Sequence, residues 1–164
     1  MKKIMIIGCP GSGKSTFARA LHDITGIPLY YLDMMYWNPD KTTVEKEVFY
    51  DRLHRVLKED TFIIDGNYQS TMEMRLKACD TVFFLDYPVD ICLEGIAMRK
   101  RKVRPDMPWV EIEDDPEFLE FVKRYNSDCK PKAEALLSSY GQVNCVVFTS
   151  RKEAEIYLEK LNRQ

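Results

Sequence analysis

Short apolar runs alternate with longer stretches of helical periodicity along most of the chain. The apolar runs are rich in β-branched and aromatic residues and predict five buried strands, at residues 4–7, 29–32, 61–65, 81–86 and 143–148. Apolar residues recur every three to four positions in the intervening stretches and predict helices, at residues 14–25, 42–57, 89–98, 115–130 and 153–161. Strands that are apolar on both faces and are each followed by a helix indicate a parallel sheet, and therefore an α/β fold.

Local signals set the ends of several of these helices. Gly26 and Pro28 end the first one, and the sequence TTVE at residues 42–45 matches a capping box that would begin the second. Asp115 followed by Pro116 combines a capping side chain with a proline at the first helical position. We see no internal repeat, low-complexity tract or linker, so residues 1–164 are expected to form one domain.

Composition narrows the class of protein. Apolar residues make up 45% of the 164 residues and charged residues 30%, as in ordinary soluble proteins, and no apolar run approaches the roughly 20 residues that span a bilayer. The five cysteines are scattered, odd in number and without a CxxC pair, which argues against a disulfide framework and against a zinc site. These features predict a cytoplasmic protein with no membrane partner.

The sequence GCPGSGKS follows the first predicted strand and opens the first predicted helix. It matches the phosphate-binding pattern G-x-x-x-x-G-K-[ST], in which glycines let successive backbone N–H groups point at phosphate oxygens near the positive end of a helix. Lys14 is expected to reach the β- and γ-phosphates and Ser15 to ligate Mg²⁺. The other residues predicted to contact the nucleotide are Gly8, Gly11, Ser12, Gly13 and Thr16. Cys9 occupies a variable position of the pattern and is expected to be structural.

Three predicted strands end in aspartate, at Asp33, Asp65 and Asp86. In an open parallel sheet the ligand lies at the carboxyl ends of the strands, so Asp33 and Asp65 are candidates to hold Mg²⁺ through water or to accept a proton from an acceptor hydroxyl. The alternative is that these aspartates cap turns. We expect Asp86 to be structural.

Five basic side chains occupy six positions in RKRKVR, residues 99–104. They could contact a nucleic-acid backbone, close over the phosphates of a nucleotide, or lie in solvent at a helix end. The chain has a net charge of −2, and the acidic sequence EIEDDPE follows at residues 111–117. Even if all five charges neutralised DNA phosphates, the salt dependence would have a slope of at most about −4.5. Nucleic acid is therefore a possible but disfavoured partner.

Five segments together resemble the family of DNA topology modulation proteins, small relatives of adenylate and shikimate kinases: GCPGSGKSTFARAL, YLDMMYWNP, FIIDGNYQSTMEMRL, CDTVFFLDYP and RKVRPDM. The resemblance implies a P-loop NTPase fold with a five-stranded parallel sheet in the order 2-3-1-4-5 and helices on both faces. It also implies ATP in the phosphate loop, a magnesium or acceptor role for Asp33 and Asp65, and an arginine-bearing lid at about residues 99–116. We predict Ser15 and Asp33 as the ligands of Mg²⁺.

The same resemblance places an acceptor pocket after the second and third strands. The residues that it implies there are Tyr36, Trp37, Asn67 and Tyr68, with Arg75 as a candidate clamp for an acceptor phosphate. Trp37 as plain loop core is an equal alternative. DGNYQS replaces the DGxPR pattern of adenylate kinases, which weakens AMP as the acceptor. Arg151 is expected beside the base of the nucleotide.

Two functions from different classes follow. The first is an ATP- and Mg²⁺-dependent phosphotransferase, acting as a monomer on a nucleotide or a small hydroxylated metabolite. Its predicted catalytic residues are Lys14, Asp33, Asp65, Arg99, Arg101, Arg104 and Arg124. The second is a nucleotide-dependent regulatory or DNA-topology-modulating protein without a small-molecule acceptor. The sequence leaves open the identity of the acceptor and which aspartate holds the metal.

Overall fold

Five strands form one parallel sheet in the order β2-β3-β1-β4-β5 in the computed structural model, which describes residues 1–163. The strands are β1 (Lys3–Gly8), β2 (Leu29–Tyr31), β3 (Phe62–Asp65), β4 (Thr81–Leu85) and β5 (Asn144–Phe148). β1 lies at the centre, where Ile6 is paired with Asp65 of β3 and with Phe83 of β4. The predicted α/β class and strand order are confirmed.

Helices cover both faces of this sheet. They are α1 (Lys14–Thr25), α2 (Leu32–Tyr36), α3 (Lys46–Leu57), α4 (Gln69–Ala78), α5 (Val89–Arg99), α6 (Pro116–Lys123), α7 (Tyr125–Asp128), α8 (Lys130–Ser138) and α9 (Arg151–Asn162). Alternate residues of β1 point to opposite faces, so that Ile4 and Ile6 join one buried cluster while Met5 and Ile7 join the other. The first cluster includes residues of α1, α5 and α9, and the second includes residues of α3, α4 and α8.

Three local predictions were wrong. Thr42 does not cap a helix, because its amide and hydroxyl both bond to Asp40 in a turn, and α3 begins only at Lys46. Asp33 does not end a strand but lies in the first turn of the short helix α2. The single helix predicted at residues 115–130 is instead divided into α6, α7 and the start of α8, where the missing N–H of Pro131 leaves no hydrogen bond unmade. The predicted cap at Asp115 is confirmed, since its carboxylate accepts hydrogen bonds from the amides of Glu117 and Phe118.

Residues 100–115 connect α5 to α6 without regular helix or strand and cross the carboxyl edge of the sheet. We call residues 99–116 the lid segment. Within residues 1–163, no helix combines the length and the apolar character needed to cross a membrane.

Candidate active site

The phosphate loop connects β1 to α1 and packs tightly against α5. Gly11 has a left-handed φ of 84°, and a Cβ on it would lie 2.0 Å from the carbonyl oxygen of Cys92. Gly13 also has a left-handed φ, of 92°, and forms the N-cap of α1. Glycine is therefore required at residue 11 both for backbone conformation and for space, and the loop is fixed against α5 before any ligand binds.

Lys14 lies at the first turn of α1 with its ammonium group turned into the loop. Its Nζ donates hydrogen bonds to the carbonyl oxygens of Gly8 at 2.9 Å and Cys9 at 3.1 Å. Burial lowers the pKa of Lys14, while the nearby carboxylates of Asp65 and Asp33 oppose that shift. The ammonium group is thus already inside the loop that would surround the phosphates.

Ser15 and Asp65 form the closest polar pair of the site. The Ser15 hydroxyl donates a hydrogen bond of 2.5 Å to Oδ2 of Asp65, and Oδ1 of this carboxylate is buried without a hydrogen-bond partner among residues 1–163. Burial raises the pKa of Asp65 to about 6, although Lys14 and the Ser15 hydroxyl both act to lower it. The two side chains meet because β1 and β3 are adjacent strands, paired through Ile6 and Asp65.

Asp33 lies farther from the phosphate loop. Its Oδ1 accepts a hydrogen bond of 2.7 Å from the Tyr68 hydroxyl, and burial raises the pKa of its carboxyl group while this hydrogen bond lowers it. The helix that carries Asp33 follows the edge strand β2, which is separated from β1 by β3. The structure therefore joins Ser15 to Asp65, whereas Asp33 was predicted as the second metal ligand.

The donor groups present fit a nucleotide phosphate chain with Mg²⁺. Mg²⁺ prefers oxygen ligands and is usually held by one or two carboxylates or hydroxyls together with phosphate oxygens. The unpartnered Oδ1 of Asp65 and the Ser15 hydroxyl are such oxygens. The Ser12 hydroxyl is buried in the loop without a hydrogen-bond partner in the described part of the chain, and could donate to a phosphate oxygen.

Two cavities meet at the phosphate loop. The first, of about 680 Å³, is lined by the loop, Thr16, Arg19 and Arg151, and we call it the donor cavity. The second, of about 1050 Å³, is lined by Asp33, Trp37, Asn67, Tyr68 and much of the lid segment, and we call it the acceptor cavity. The side chains that line both cavities are Lys14, Ser15, Arg99 and Asp106. A group passing from one cavity to the other would cross these four residues.

The predicted acceptor residues divide by what they contact. Asn67 lines the acceptor cavity and also anchors the phosphate loop, because its Oδ1 accepts from the Gly8 amide at 3.0 Å and its Nδ2 donates to the Gly8 carbonyl. Tyr36 packs edge-on against Tyr68 and Trp37 and contributes no surface to either cavity. It supports the cavity wall from behind.

Arg75 has a different position from the one predicted. It is fully buried, and its guanidinium donates to the carbonyl oxygens of Gly66 at 2.9 Å and Tyr68 at 3.0 Å and to the Thr71 hydroxyl. Burial lowers its pKa to about 10. The prediction of an acceptor-phosphate clamp is wrong for this reason: the side chain fixes the loop after β3 from inside the protein.

The lid arginines are paired with carboxylates of the lid segment itself. Arg99 makes a bidentate pair with Glu111, at 2.8 and 2.9 Å. Arg104 lies 3.3 Å from Asp106, which also pairs with Arg19 at 3.4 Å. Asp106 is only 4% exposed, so it holds two arginines beside the donor cavity in a poorly solvated position.

The two other predicted arginines lie outside both cavities. Arg101 is exposed, with a left-handed φ of 60° and its amide bonded to the carbonyl of Glu111. Arg124 is 63% exposed and pairs with Asp128 in the next turn. Their predicted role at the phosphates has no support from this geometry, since both side chains are directed to solvent.

Sequence reasoning missed four residues that the fold brings to the site: Arg19, Asp106, Trp109 and Glu111. Asp106 and Glu111 carried a weak signal, because acidic residues next to a basic run often pair with it. Trp109 had none, because its partner is distant in sequence: its ring lies 5.3 Å from that of Trp37, edge to face.

The sheet order and the phosphate loop define the P-loop NTPase fold, in the form found in shikimate kinases. The chain is similar to shikimate kinase from Bacteroides thetaiotaomicron, with 19% identity, a TM-score of 0.60, and coverage of 98% of this chain and 96% of that one. It is similar to shikimate kinase from Acinetobacter baumannii in complex with shikimate, with 17% identity, a TM-score of 0.65, and coverage of 98% and 90%. For shikimate kinase from Aquifex aeolicus the identity is 18%, the TM-score 0.55, and the coverage 96% and 92%.

No protein-family model and no curated protein matches the sequence. The resemblance to DNA topology modulation proteins is therefore not confirmed, whereas the shared fold of the small P-loop kinases is.

Proposed function

We propose that the chain transfers the γ-phosphoryl group of ATP, with Mg²⁺, to a hydroxyl group of a small molecule bound in the acceptor cavity. The observation that carries this proposal is the meeting of two cavities at Lys14 and Ser15 of the phosphate loop. A protein that only hydrolyses ATP needs room for water there, whereas the acceptor cavity, at about 1050 Å³, has the size of a small-molecule site.

The donor side binds and positions the triphosphate. The loop amides and the Ser12 hydroxyl donate to phosphate oxygens, and Lys14 places its positive charge among them. Ser15 and Asp65 supply the oxygens that would hold Mg²⁺, a metal that neutralises charge on the phosphates when bound. Arg151, on the other wall of the donor cavity, lies where the nucleoside end would extend.

Asp33 acts on the acceptor side as the proton acceptor. The acceptor hydroxyl oxygen forms a bond to the γ-phosphorus as the bond from phosphorus to the bridging oxygen of ADP breaks, and the hydroxyl proton passes to the Asp33 carboxylate. Tyr68 holds this carboxylate in place through its 2.7 Å hydrogen bond. This division of roles leaves Asp65 for the metal and Asp33 for the proton.

The lid arginines supply positive charge as the phosphoryl group moves. Arg99 lines both cavities, and Nη2 of Arg104 is buried beside the donor cavity, 3.6 Å from Oε2 of Glu111 and without a hydrogen bond within residues 1–163. Arginine side chains suit this role because the guanidinium group can donate two parallel hydrogen bonds to phosphate oxygens.

The basic run supports this proposal more than it supports nucleic-acid binding. Three of its five cations already pair with carboxylates of the lid segment: Arg99 with Glu111, Lys100 with Asp114, and Arg104 with Asp106. The carboxylates of this segment and the net charge of −2 would oppose binding to a DNA backbone. The shikimate bound to the kinase from Acinetobacter baumannii supports a small-molecule acceptor in this fold.

The test measures ADP formation from ATP and Mg²⁺ with and without a panel of hydroxylated compounds. We expect at least one compound to raise ADP formation at least tenfold above bare hydrolysis and to gain a phosphate in mass spectrometry. Lys14→Ala should abolish this activity and the thermal stabilisation by MgATP, while Lys58→Ala, a change of an exposed lysine, should not. If no compound raised ADP formation, or if Lys14→Ala kept full turnover, the proposal would be refuted.

A further inference from the structure

The acceptor cavity has an excess of negative charge. Its lining includes seven carboxylate side chains and four cationic ones, Lys14, Lys41, Arg99 and Lys100. One of the seven, Asp106, is paired with Arg19 and Arg104, which line only the donor cavity. Lys14 is bound within the phosphate loop. Arg99 and Lys100 are paired with Glu111 and Asp114, at 2.8 and 2.5 Å. An anionic acceptor would therefore find few unpaired cationic side chains in this cavity to bind it.

Arg75, which was predicted to hold an anionic group of the acceptor, cannot reach the acceptor cavity. Arg75 is buried behind the loop that follows β3, and backbone carbonyls occupy its guanidinium group. Lys41 is exposed on a turn at the cavity edge, and an exposed ammonium group on a flexible side chain is a weak anchor for a single anion. Glu113 and Asp115, two of the seven carboxylates, are also exposed at this cavity and carry the opposite charge.

Aromatic and apolar side chains form the remaining wall. The indole rings of Trp37 and Trp109 meet edge to face at 5.3 Å, one from the segment after β2 and one from the lid segment. Met107 and Ile112 of the lid segment and Phe118 of α6 extend this surface. A flat apolar body would pack well against such a wall, and a hydroxyl on it could reach the carboxylate of Asp33.

We propose that the acceptor is a hydroxylated ring compound without an anionic group, such as a nucleoside or an uncharged cyclic polyol, and that Trp37 and Trp109 bind its apolar face. This inference rests on the proposed function for the identity of the site. An anionic acceptor would have to displace the carboxylates paired with Arg99 and Lys100, so we expect uncharged acceptors to bind more tightly than phosphorylated or carboxylated ones.

The test uses pairs of compounds that differ only in an anionic group: thymidine against thymidine monophosphate, and methyl shikimate against shikimate. Binding is followed by tryptophan fluorescence, because the only two tryptophans of the chain are Trp37 and Trp109. Transfer is followed by ADP formation. We expect the uncharged member of at least one pair to bind at least tenfold more tightly and to give at least tenfold higher kcat/KM.

A variant links the preference to the cavity. Glu111→Gln removes the carboxylate that occupies Arg99, and should improve binding of the anionic member by about tenfold relative to the uncharged one. Glu117→Gln makes the same charge change at an exposed residue that lines neither cavity, and should leave the preference unchanged.

The outcomes separate the two proposals. If an anionic member bound equally well or better, or if no compound of either pair changed the fluorescence at millimolar concentration, this inference would be refuted. Phosphoryl transfer to an anionic member would then still support the proposed function. If uncharged members bound with the expected preference but no compound tested gained a phosphate, the acceptor chemistry inferred here would stand and the phosphotransferase would fail. An equal response of both glutamine variants would attribute the effect to net charge and refute the role of the cavity.

Discussion

Asp65 allows the sharpest test of the proposed site. Its carboxylate is proposed to hold the metal, and burial makes the ionised form of the same carboxylate unfavourable. It is 5% exposed, and burial raises its pKa from 3.8 to about 6. Asp65→Asn retains an oxygen that can accept the Ser15 hydroxyl and removes the charge. We expect this variant to lose activity and to change the pH dependence of stability.

The magnitude follows from the two pKa values. A rise from 3.8 to about 6 corresponds to about 3 kcal/mol, at about 1.4 kcal/mol for each pKa unit. Because the folded state holds this proton more tightly than the unfolded chain does, stability falls as the pH rises between the two pKa values and levels off above the higher one. About 2 of these 3 kcal/mol are lost between about pH 4.5 and about pH 7.5.

The assay is urea unfolding of the wild type and of Asp65→Asn at both pH values, without nucleotide or Mg²⁺. Other titrating groups are common to the two proteins, so the difference between their free energies of unfolding isolates Asp65. We expect this difference to shift by about 2 kcal/mol in favour of the variant from about pH 4.5 to about pH 7.5. Asp60→Asn, at an exposed residue before β3, should give no such shift.

Two results would refute this reasoning. A difference that does not depend on pH would show that the folded state does not raise the pKa of Asp65. Undiminished stabilisation of Asp65→Asn by MgATP, together with full turnover, would remove Asp65 from the metal site.

Three further changes test the geometry of the site. Gly11→Ala should abolish nucleotide binding and lower Tm by several degrees in a thermal scan, because the new Cβ would meet backbone at 2.0 Å, while Gly141→Ala, with nothing within 4 Å, should leave both unchanged. Arg75→Met should lower the free energy of unfolding by about 2 kcal/mol, because three hydrogen bonds from the buried guanidinium are lost; unchanged stability with a raised KM for the acceptor would instead support the clamp. Tyr68→Phe should move the acid limb of kcat/KM to higher pH, because the lost hydrogen bond lowers the pKa of Asp33 in the wild type; an unmoved profile would contradict Asp33 as the proton acceptor.

Much of the fold was predictable because its signals are local. The apolar runs that became β1 and β4, the glycine pattern of the phosphate loop and the Asp115-Pro116 helix start each depend on residues adjacent in sequence. The capping box at Thr42 failed for a related reason: two neighbouring side chains can satisfy each other. Asp40 lies two residues before Thr42, and its carboxylate accepts hydrogen bonds from the amide and the hydroxyl of Thr42. Thr42 therefore does not cap α3.

The candidate site was predictable only in part, because its contacts join distant segments. Lys14 and Ser15 were placed by their motif, but strand order brought Asp65, rather than Asp33, to Ser15, across a separation of 50 residues. Arg75 is buried, and its guanidinium donates to the carbonyl oxygens of Gly66 and Tyr68. The fold also paired Arg99 with Glu111 and Trp37 with Trp109.

The sequence by itself determined the parallel sheet, the phosphate loop and the basic run, since periodicity and a contiguous motif encode them. Tertiary structure alone decided which aspartate meets the loop, which arginines face the cavities, and what charge the acceptor cavity presents. The physical reason is that a side chain's function here depends on its burial and on the charge of its neighbours, and both are set by chain segments that sequence proximity does not connect.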